Sequence, residues 1–230
     1  MHWARNPLQA LPPARSHGAG RAVVSVALTA AIALSAGDLR AESSDTTYGR
    51  VEGDLTLAMG LGGTVTPRGV RGAGELRLRY LESAGLFASY EDASLFGAAA
   101  DSRRLLCAGV EVRPLFLYRW LKAHETQWQR LDLLIDSVGL ELGAVFAEPP
   151  GAAFASQLGL EVALGVEMPI LDRAMGPWVA FHGGLRWSDQ ELASGVVRDA
   201  SDRSAFLLVT LAWHLVEATH LVDLGDEIPR

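Results

Sequence analysis

Between Arg50 and Thr66 the side chains alternate without a break. Val51, Gly53, Leu55, Leu57, Met59, Leu61, Gly63 and Val65 fall on one face; Arg50, Glu52, Asp54, Thr56, Ala58, Gly60, Gly62, Thr64 and Thr66 fall on the other. Successive residues of a strand point to opposite faces, so this spacing predicts an extended segment that separates two environments. A 3.6-residue period would instead set Glu52 and Asp54 beside the leucines.

The same alternation recurs seven times. Arg71–Leu81 sets Leu76, Leu78 and Tyr80 against Glu75, Arg77 and Arg79. After a turn at Glu82–Gly85, Leu86, Ala88 and Tyr90 oppose Phe87, Ser89 and Glu91, the least clean case. Arg104–Pro114, Ser137–Phe146, Ser156–Met168, Trp178–Trp187 and Ser204–Leu215 follow, with apolar rows such as Leu158, Leu160, Val162, Leu164, Val166 and Met168. Stretches of roughly 9 to 13 residues match what a tilted strand needs to cross hydrocarbon. The predicted fold is all-β: an eight-stranded antiparallel up-and-down transmembrane β-barrel, with a short interfacial helix as one reading of the segment between strands 4 and 5.

Alternation alone also fits a soluble lipocalin-like barrel that buries its apolar face. Three features favour the membrane. The apolar rows run unbroken along the strands, whereas a soluble eight-stranded barrel has limited room inside. The polar rows mix charges with Gly60, Gly62, Gly109, Gly139, Gly143, Gly159, Gly165 and Gly184, as a narrow lumen requires. Tyr80, Tyr90, Phe146, Trp187 and Trp213 stand near strand ends, where interfacial girdles belong.

The start of the chain changes the picture of where it resides. Arg5, Arg15 and Arg21 precede a 15-residue apolar run, Ala22–Ala36, followed by small residues Ser35, Ala36, Gly37 and Ala41. Residues 1–41 read as a cleaved signal peptide, with the cleavage site open among Ala36, Gly37 and Ala41; an uncleaved anchor would want 18 or more apolar residues. Of 20 basic and 27 acidic residues, this segment takes Arg5, Arg15, Arg21, Arg40 and Asp38, leaving 16 against 26. That sign is wrong for nucleic-acid binding. One cysteine, Cys107, allows neither an internal disulfide nor a cysteine zinc site, and it falls on the polar face as a small lumen filler.

Chemistry, if any, belongs to the polar rows. Gly109-Val110-Glu111-Val112, Gly139-Leu140-Glu141-Leu142 and Gly159-Leu160-Glu161-Val162 share one local pattern, and Gly184-Leu185-Arg186-Trp187 puts arginine at the glutamate position. Together with Glu52, Asp54, Glu75, Arg77, Arg79, Arg113, Glu167 and His182, they are expected to form a hydrogen-bonded ionic core in the lumen. Facing them to lipid would cost about 2–4 kcal/mol per arginine near the midplane. Such a cluster can be ionic packing, a proton relay, a metal site or an acid/base pair. His182 and His214 lie on adjacent strands without a metal-ligand spacing, so neither metal nor cofactor is expected. No nucleophile elbow, Walker loop or dinucleotide fingerprint occurs, and Met59-Gly60-Leu61-Gly62-Gly63 lies within a strand.

A signal peptide followed by eight alternating strands resembles the small eight-stranded outer-membrane barrels of Gram-negative bacteria, over roughly residues 46–216 and in architecture rather than motif. The resemblance implies the outer membrane as location, and the lipid bilayer and the outer-membrane assembly machinery as partners. It departs at the end, where an acidic tail, 217–230, replaces a terminal aromatic residue. External loops are expected at Pro67–Val70, Ala93–Arg103, Ala147–Ala155 and Ser188–Arg203, and periplasmic turns at Glu82–Gly85, Leu115–Asp136 and Pro169–Gly176. Within the second of these turns, Leu117, Trp120, Leu121, His124, Trp128 and Leu131 share a helical face; the alternative is that Leu115–Leu121 prolongs strand 4. The expected function is structural or partner-binding through the external loops. The alternatives are a soluble periplasmic carrier and a lipid-modifying enzyme, in which Ser137, Ser156 or Ser204 would work with His182.

Overall fold

The computed structural model describes residues 53–95, 103–122, 126, 128–148, 157–189, 192 and 203–219. Eight strands follow one another: β1 (Leu55–Thr66), β2 (Gly69–Tyr80), β3 (Ala84–Asp92), β4 (Arg104–Val112), β5 (Gly139–Glu148), β6 (Gln157–Pro169), β7 (Gly176–Ser188) and β8 (Arg203–Glu217). Each pairs antiparallel with its neighbour in sequence, and β8 pairs with β1, closing the barrel. The alternation decides which face turns inward. On β2, Arg71, Ala73, Glu75, Arg77 and Arg79 are buried, while Val70, Leu76 and Leu78 are exposed. Leu86, Leu140, Leu164 and Leu211 on other strands are 54–59% exposed. The polar rows therefore line the interior and the aliphatic rows form the outer wall.

Strand ends differ from the sequence expectation by at most two residues, except that β1 begins at Leu55 where the alternation starts at Arg50. The β2–β3 hairpin turns at Leu81–Ser83, one residue earlier than expected. Leu81 and Glu82 take φ of 46° and 52°, and the Ser83 N–H donates to the Tyr80 carbonyl at 3.1 Å. Two left-handed central residues match the twist of the flanking strands. No glycine announces this turn in the sequence.

The segment after β4 settles the helix-or-strand alternative. Val112 ends the strand, and Pro114 opens α1 (Pro114–Lys122), followed by α2 (Gln129–Asp136). Proline suits a first helical position and cannot donate to a strand ladder. One continuous helix over Leu115–Leu131 is thus replaced by two; His124 lies outside the described residues. Leu117, Trp120, Leu121, Trp128 and Leu131 are exposed, whereas Phe116 and Arg119 turn inward. Arg119 donates to Asp132, tying α1 to α2. Leu133 of α2 packs against Ala174 and Trp178, so α2 covers this end of the barrel. Ser137 clasps it to β6: its hydroxyl donates to the Glu167 carbonyl at 2.7 Å and accepts from the Glu167 N–H at 2.8 Å.

Closure brings inward backbones close together. Gly109 pairs with Gly143, and a Cβ on Gly109 would stand 2.5 Å from the Gly143 Cα. Backbone cannot yield there without parting β4 from β5. Gly109→Ala is expected to cost about 1–3 kcal/mol, read from the urea midpoint of the folded barrel. Gly74→Ala, whose Cβ would meet Leu61 Cδ2 at 3.4 Å and the Gly60 carbonyl oxygen at 3.8 Å, is the control and should change stability by less than about 0.5 kcal/mol.

Candidate functional site

Inward positions on seven strands converge on two knots of charge. The larger is built around Arg77. Its Nε donates to Glu75 at 3.0 Å and its Nη1 to Glu111 at 2.9 Å and to Glu141 at 2.7 Å. His182 Nδ1 stands 2.7 Å from the same Glu141 oxygen, and its Nε2 faces Glu75 at 3.6 Å. Arg79 joins Glu111 at 3.2 Å and also pairs with Glu167. Arg113 completes the knot, with bonds to Glu111 at 2.8 Å, Glu82 at 2.8 Å and Glu167 at 2.5 Å. Every guanidinium thus meets two or more carboxylates, which is what a buried ion requires to offset its lost hydration.

The second knot lies toward the opposite end. Arg186 donates to Glu161 at 2.5 Å and to Glu91 at 2.7 Å, and Arg71 reaches Glu91 at 3.2 Å. Rings lie under the cations: Arg186 stands 3.8 Å over Phe206, and Arg77 5.4 Å over Phe87. Phe87, Leu105, Cys107 and Val145 form an apolar patch on the inner wall, which gives Cys107 the filler position the sequence suggested. Trp178 and His214 stack at 4.6 Å above α2, with His214 Nε2 3.5 Å from Glu167.

Of the residues singled out from the sequence, Glu75, Arg77, Arg79, Glu111, Arg113, Glu141, Glu167 and His182 meet in the larger knot, and Glu161 and Arg186 in the second. Asp54 stands apart. It precedes β1 at the rim, where its carboxylate accepts from the Thr219 N–H at 2.5 Å and the Thr219 hydroxyl at 2.9 Å. Glu52 lies outside the described residues. Sequence reasoning left out Arg71, Glu91 and His214, although each shares the inward register of its strand. It also left out Glu82, whose left-handed backbone in the β2–β3 turn brings its carboxylate to Arg113.

The arrangement can store and balance charge. Among the described interior residues, five guanidiniums (Arg71, Arg77, Arg79, Arg113, Arg186) face seven carboxylates (Glu75, Glu82, Glu91, Glu111, Glu141, Glu161, Glu167). No group of metal-binding side chains occurs among the described residues. Ser137 is committed to its clasp on Glu167, Ser204 donates to the Ala205 carbonyl at 3.2 Å, and Ser156 lies outside the described residues. No hydrogen bond joins Ser137 or Ser204 to His182 among the described residues.

Fold and lumen together define a class: a closed all-β barrel of eight antiparallel strands with an ion-paired interior and an aliphatic exterior. No protein-family model matches the chain, and no curated protein is similar enough to match it.

Removing one partner from such a knot strands the others. Arg77→Met should destabilise the barrel by about 3–5 kcal/mol in urea unfolding. Arg104→Met removes a half-exposed cation whose nearest acids are at 3.6 and 3.7 Å, and should cost less than about 1 kcal/mol. The helix pair adds a pH-dependent clasp. Burial pushes the Asp132 carboxyl up, but the Thr126 N–H and the Arg119 guanidinium outweigh it and hold the carboxyl below its usual value. A folded-state value below the unfolded one means the stabilisation is present at neutral pH and is lost as pH falls through the lowered value. Amide-exchange protection of α2 should therefore persist until pH drops below about 3.9, and should already be lost at neutral pH in Asp132→Asn.

Proposed function

We propose that the protein is an outer-membrane β-barrel with a plugged lumen, acting as a structural element of the envelope or binding partners at its outer end rather than conducting solutes. The observation that carries this reading is the inverted polarity: guanidiniums and carboxylates are sealed inside while leucines and valines face out. In water such an outer wall would leave many large apolar side chains exposed without benefit. Against hydrocarbon it is the stable arrangement.

The outer wall also has the dimensions of a membrane span. Tyr90, Phe146 and Trp187 mark one end, and Tyr80, Trp213, Trp120 and Trp128 mark the other. Pro177, the register partner of Trp213, precedes Trp187 by ten residues on β7. At about 3.3 Å per residue and a tilt of about 40°, this projects to about 25 Å, the height of the apolar band in such barrels. Exposed Trp120 on α1 and Trp128 just before α2 suit the periplasmic interface. No described helix is long and apolar enough to cross a membrane.

A soluble carrier would need an apolar interior cavity. Fully buried Arg77, Arg79, Glu91, Glu167, His182 and His214 occupy that space, which favours the membrane reading. The same filling supports a closed lumen.

Cell fractionation and gel mobility test the proposal together. The protein is expected in the outer-membrane fraction, migrating faster in detergent gels when unheated, and in planar bilayers it should give no large steady conductance. Recovery in the soluble periplasmic fraction would reject the membrane reading, and a stable open channel would reject the plug.

A further inference from the structure

α1 is apolar over most of its circumference. Of its nine residues only Arg119 and Lys122 carry charge, and only Phe116 and Arg119 are buried. At about 100° per residue, the exposed Leu115, Leu117, Tyr118, Trp120 and Leu121 span roughly 220° of the helix. Phe116 and Arg119 fall in the remaining gap, turned toward the protein. A helix that lies on a membrane surface keeps a strongly charged face to water. α1 has no such face: one of its two charges is turned inward, and the other, Lys122, stands at its last position.

Charges near α1 are taken up by one another. Arg119 pairs with Asp132 and stands 3.4 Å from Asp136. Arg130 of α2 pairs with Asp172 in the β6–β7 turn, and the Gln129 amide donates to the Asp172 carbonyl. That turn also presents Ile170, Leu171 and Met175, each 40–43% exposed. The helix continues the aliphatic wall. Only Arg113 separates α1 from Val112, which is exposed on the outer row of β4, and α1 lies against β5, where Leu140 is exposed in the same way.

We propose that α1, with the apolar side chains of the β6–β7 turn, is immersed in lipid as a collar that meets the acyl chains of the leaflet at the helix-bearing end of the barrel. Such a collar rests on the membrane reading above and adds a helical contact to the strands. The width of the apolar arc decides the occupant. A rigid protein partner meets a helix along one face, whereas acyl chains are fluid and wrap a convex surface on several sides. Continuity points the same way, since the outer row of Val110 and Val112 leads into α1. Tyr118 and Trp120 each join an apolar ring to one polar atom, which suits the boundary between chains and headgroups. The Lys122 stem is long enough to carry its ammonium out to the headgroups. Arg119, which would be costly if left facing lipid, is turned onto two carboxylates instead.

Quenching of tryptophan emission by phosphatidylcholine brominated along its acyl chains tests the collar, with the full chain reconstituted in vesicles. Trp3, Trp128 and Trp187 are replaced by Phe throughout, and Trp178, buried against Leu133 of α2, stays as a common background. One protein then keeps Trp120 and a second keeps Trp213, which stands on the outward row of β8 at the same end. Brominated lipid is expected to remove the emission of both, relative to vesicles without bromine, and aqueous iodide to spare both. Quenching of Trp213 but not Trp120 by bromine, or access of iodide to Trp120 alone, overturns the collar and leaves the membrane reading standing. Shielding of Trp120 from both quenchers assigns the surface to a protein partner or a second copy and equally overturns it. Absence of bromine quenching at both residues removes the membrane reading, and the collar with it. Gel mobility without heating verifies that each protein is closed. Should the combined replacements prevent closure, Trp120→Phe alone decides: it should lose less emission to bromine than the unaltered protein does, and equal losses overturn the collar.

Discussion

An eight-stranded barrel leaves just enough space inside for side chains to fill, and here the inward positions are ionic. That single constraint dictates much of the remainder. Each buried ion forfeits several kcal/mol of hydration, recovered only through close, multiply bonded partners. Arg77 meets Glu75, Glu111 and Glu141 from three other inward positions, and Arg113 meets Glu82, Glu111 and Glu167. These contacts join β2, β4, β5 and β6 across the axis as well as through the ladder. A one-residue slip of any strand would turn its charges to the outside, so the network also fixes register.

Most of this was legible because the period of a strand is two. All eight alternating stretches became strands, and residues assigned to the polar face, including the apolar exceptions Phe87, Leu105, Val145 and Leu208, turned inward. Pairing partners were not legible, because register depends on the turns. The β2–β3 turn puts Leu81 and Glu82 in the left-handed region without a glycine or asparagine to signal it, and only that geometry sends Glu82 to Arg113. Asp54 continues the alternation of β1 but precedes its first strand residue, Leu55; its carbonyl still accepts from the Leu81 N–H at 2.8 Å, while its carboxylate turns to Thr219. The two-helix plug was half legible: the amphipathic spacing was present, but Pro114 as a helix start and the Arg119–Asp132 tie that folds α1 against α2 require three-dimensional proximity.

A filled interior confines interaction with the surroundings to the two ends, and these are unlike. At the inner end α2, the Trp178–His214 stack and Arg113 close the axis, and a cavity of about 10 Å³ beside them is no larger than a water site. At the opposite end the ionic packing leaves more room, a cavity of about 60 Å³ lined in part by Arg71 and Arg186.

This asymmetry gives the axis an electrical direction. In the larger knot Arg77, Arg79 and Arg113 stand against Glu75, Glu82, Glu111, Glu141 and Glu167, so carboxylates outnumber guanidiniums in that half. The second knot balances Arg71 and Arg186 against Glu91 and Glu161. In a low-dielectric shell such a separation is weakly screened. The two halves of the lumen thus differ in balance: near neutrality around Arg186, and a carboxylate majority beneath it that the close guanidinium contacts of Arg77, Arg79 and Arg113 hold in place.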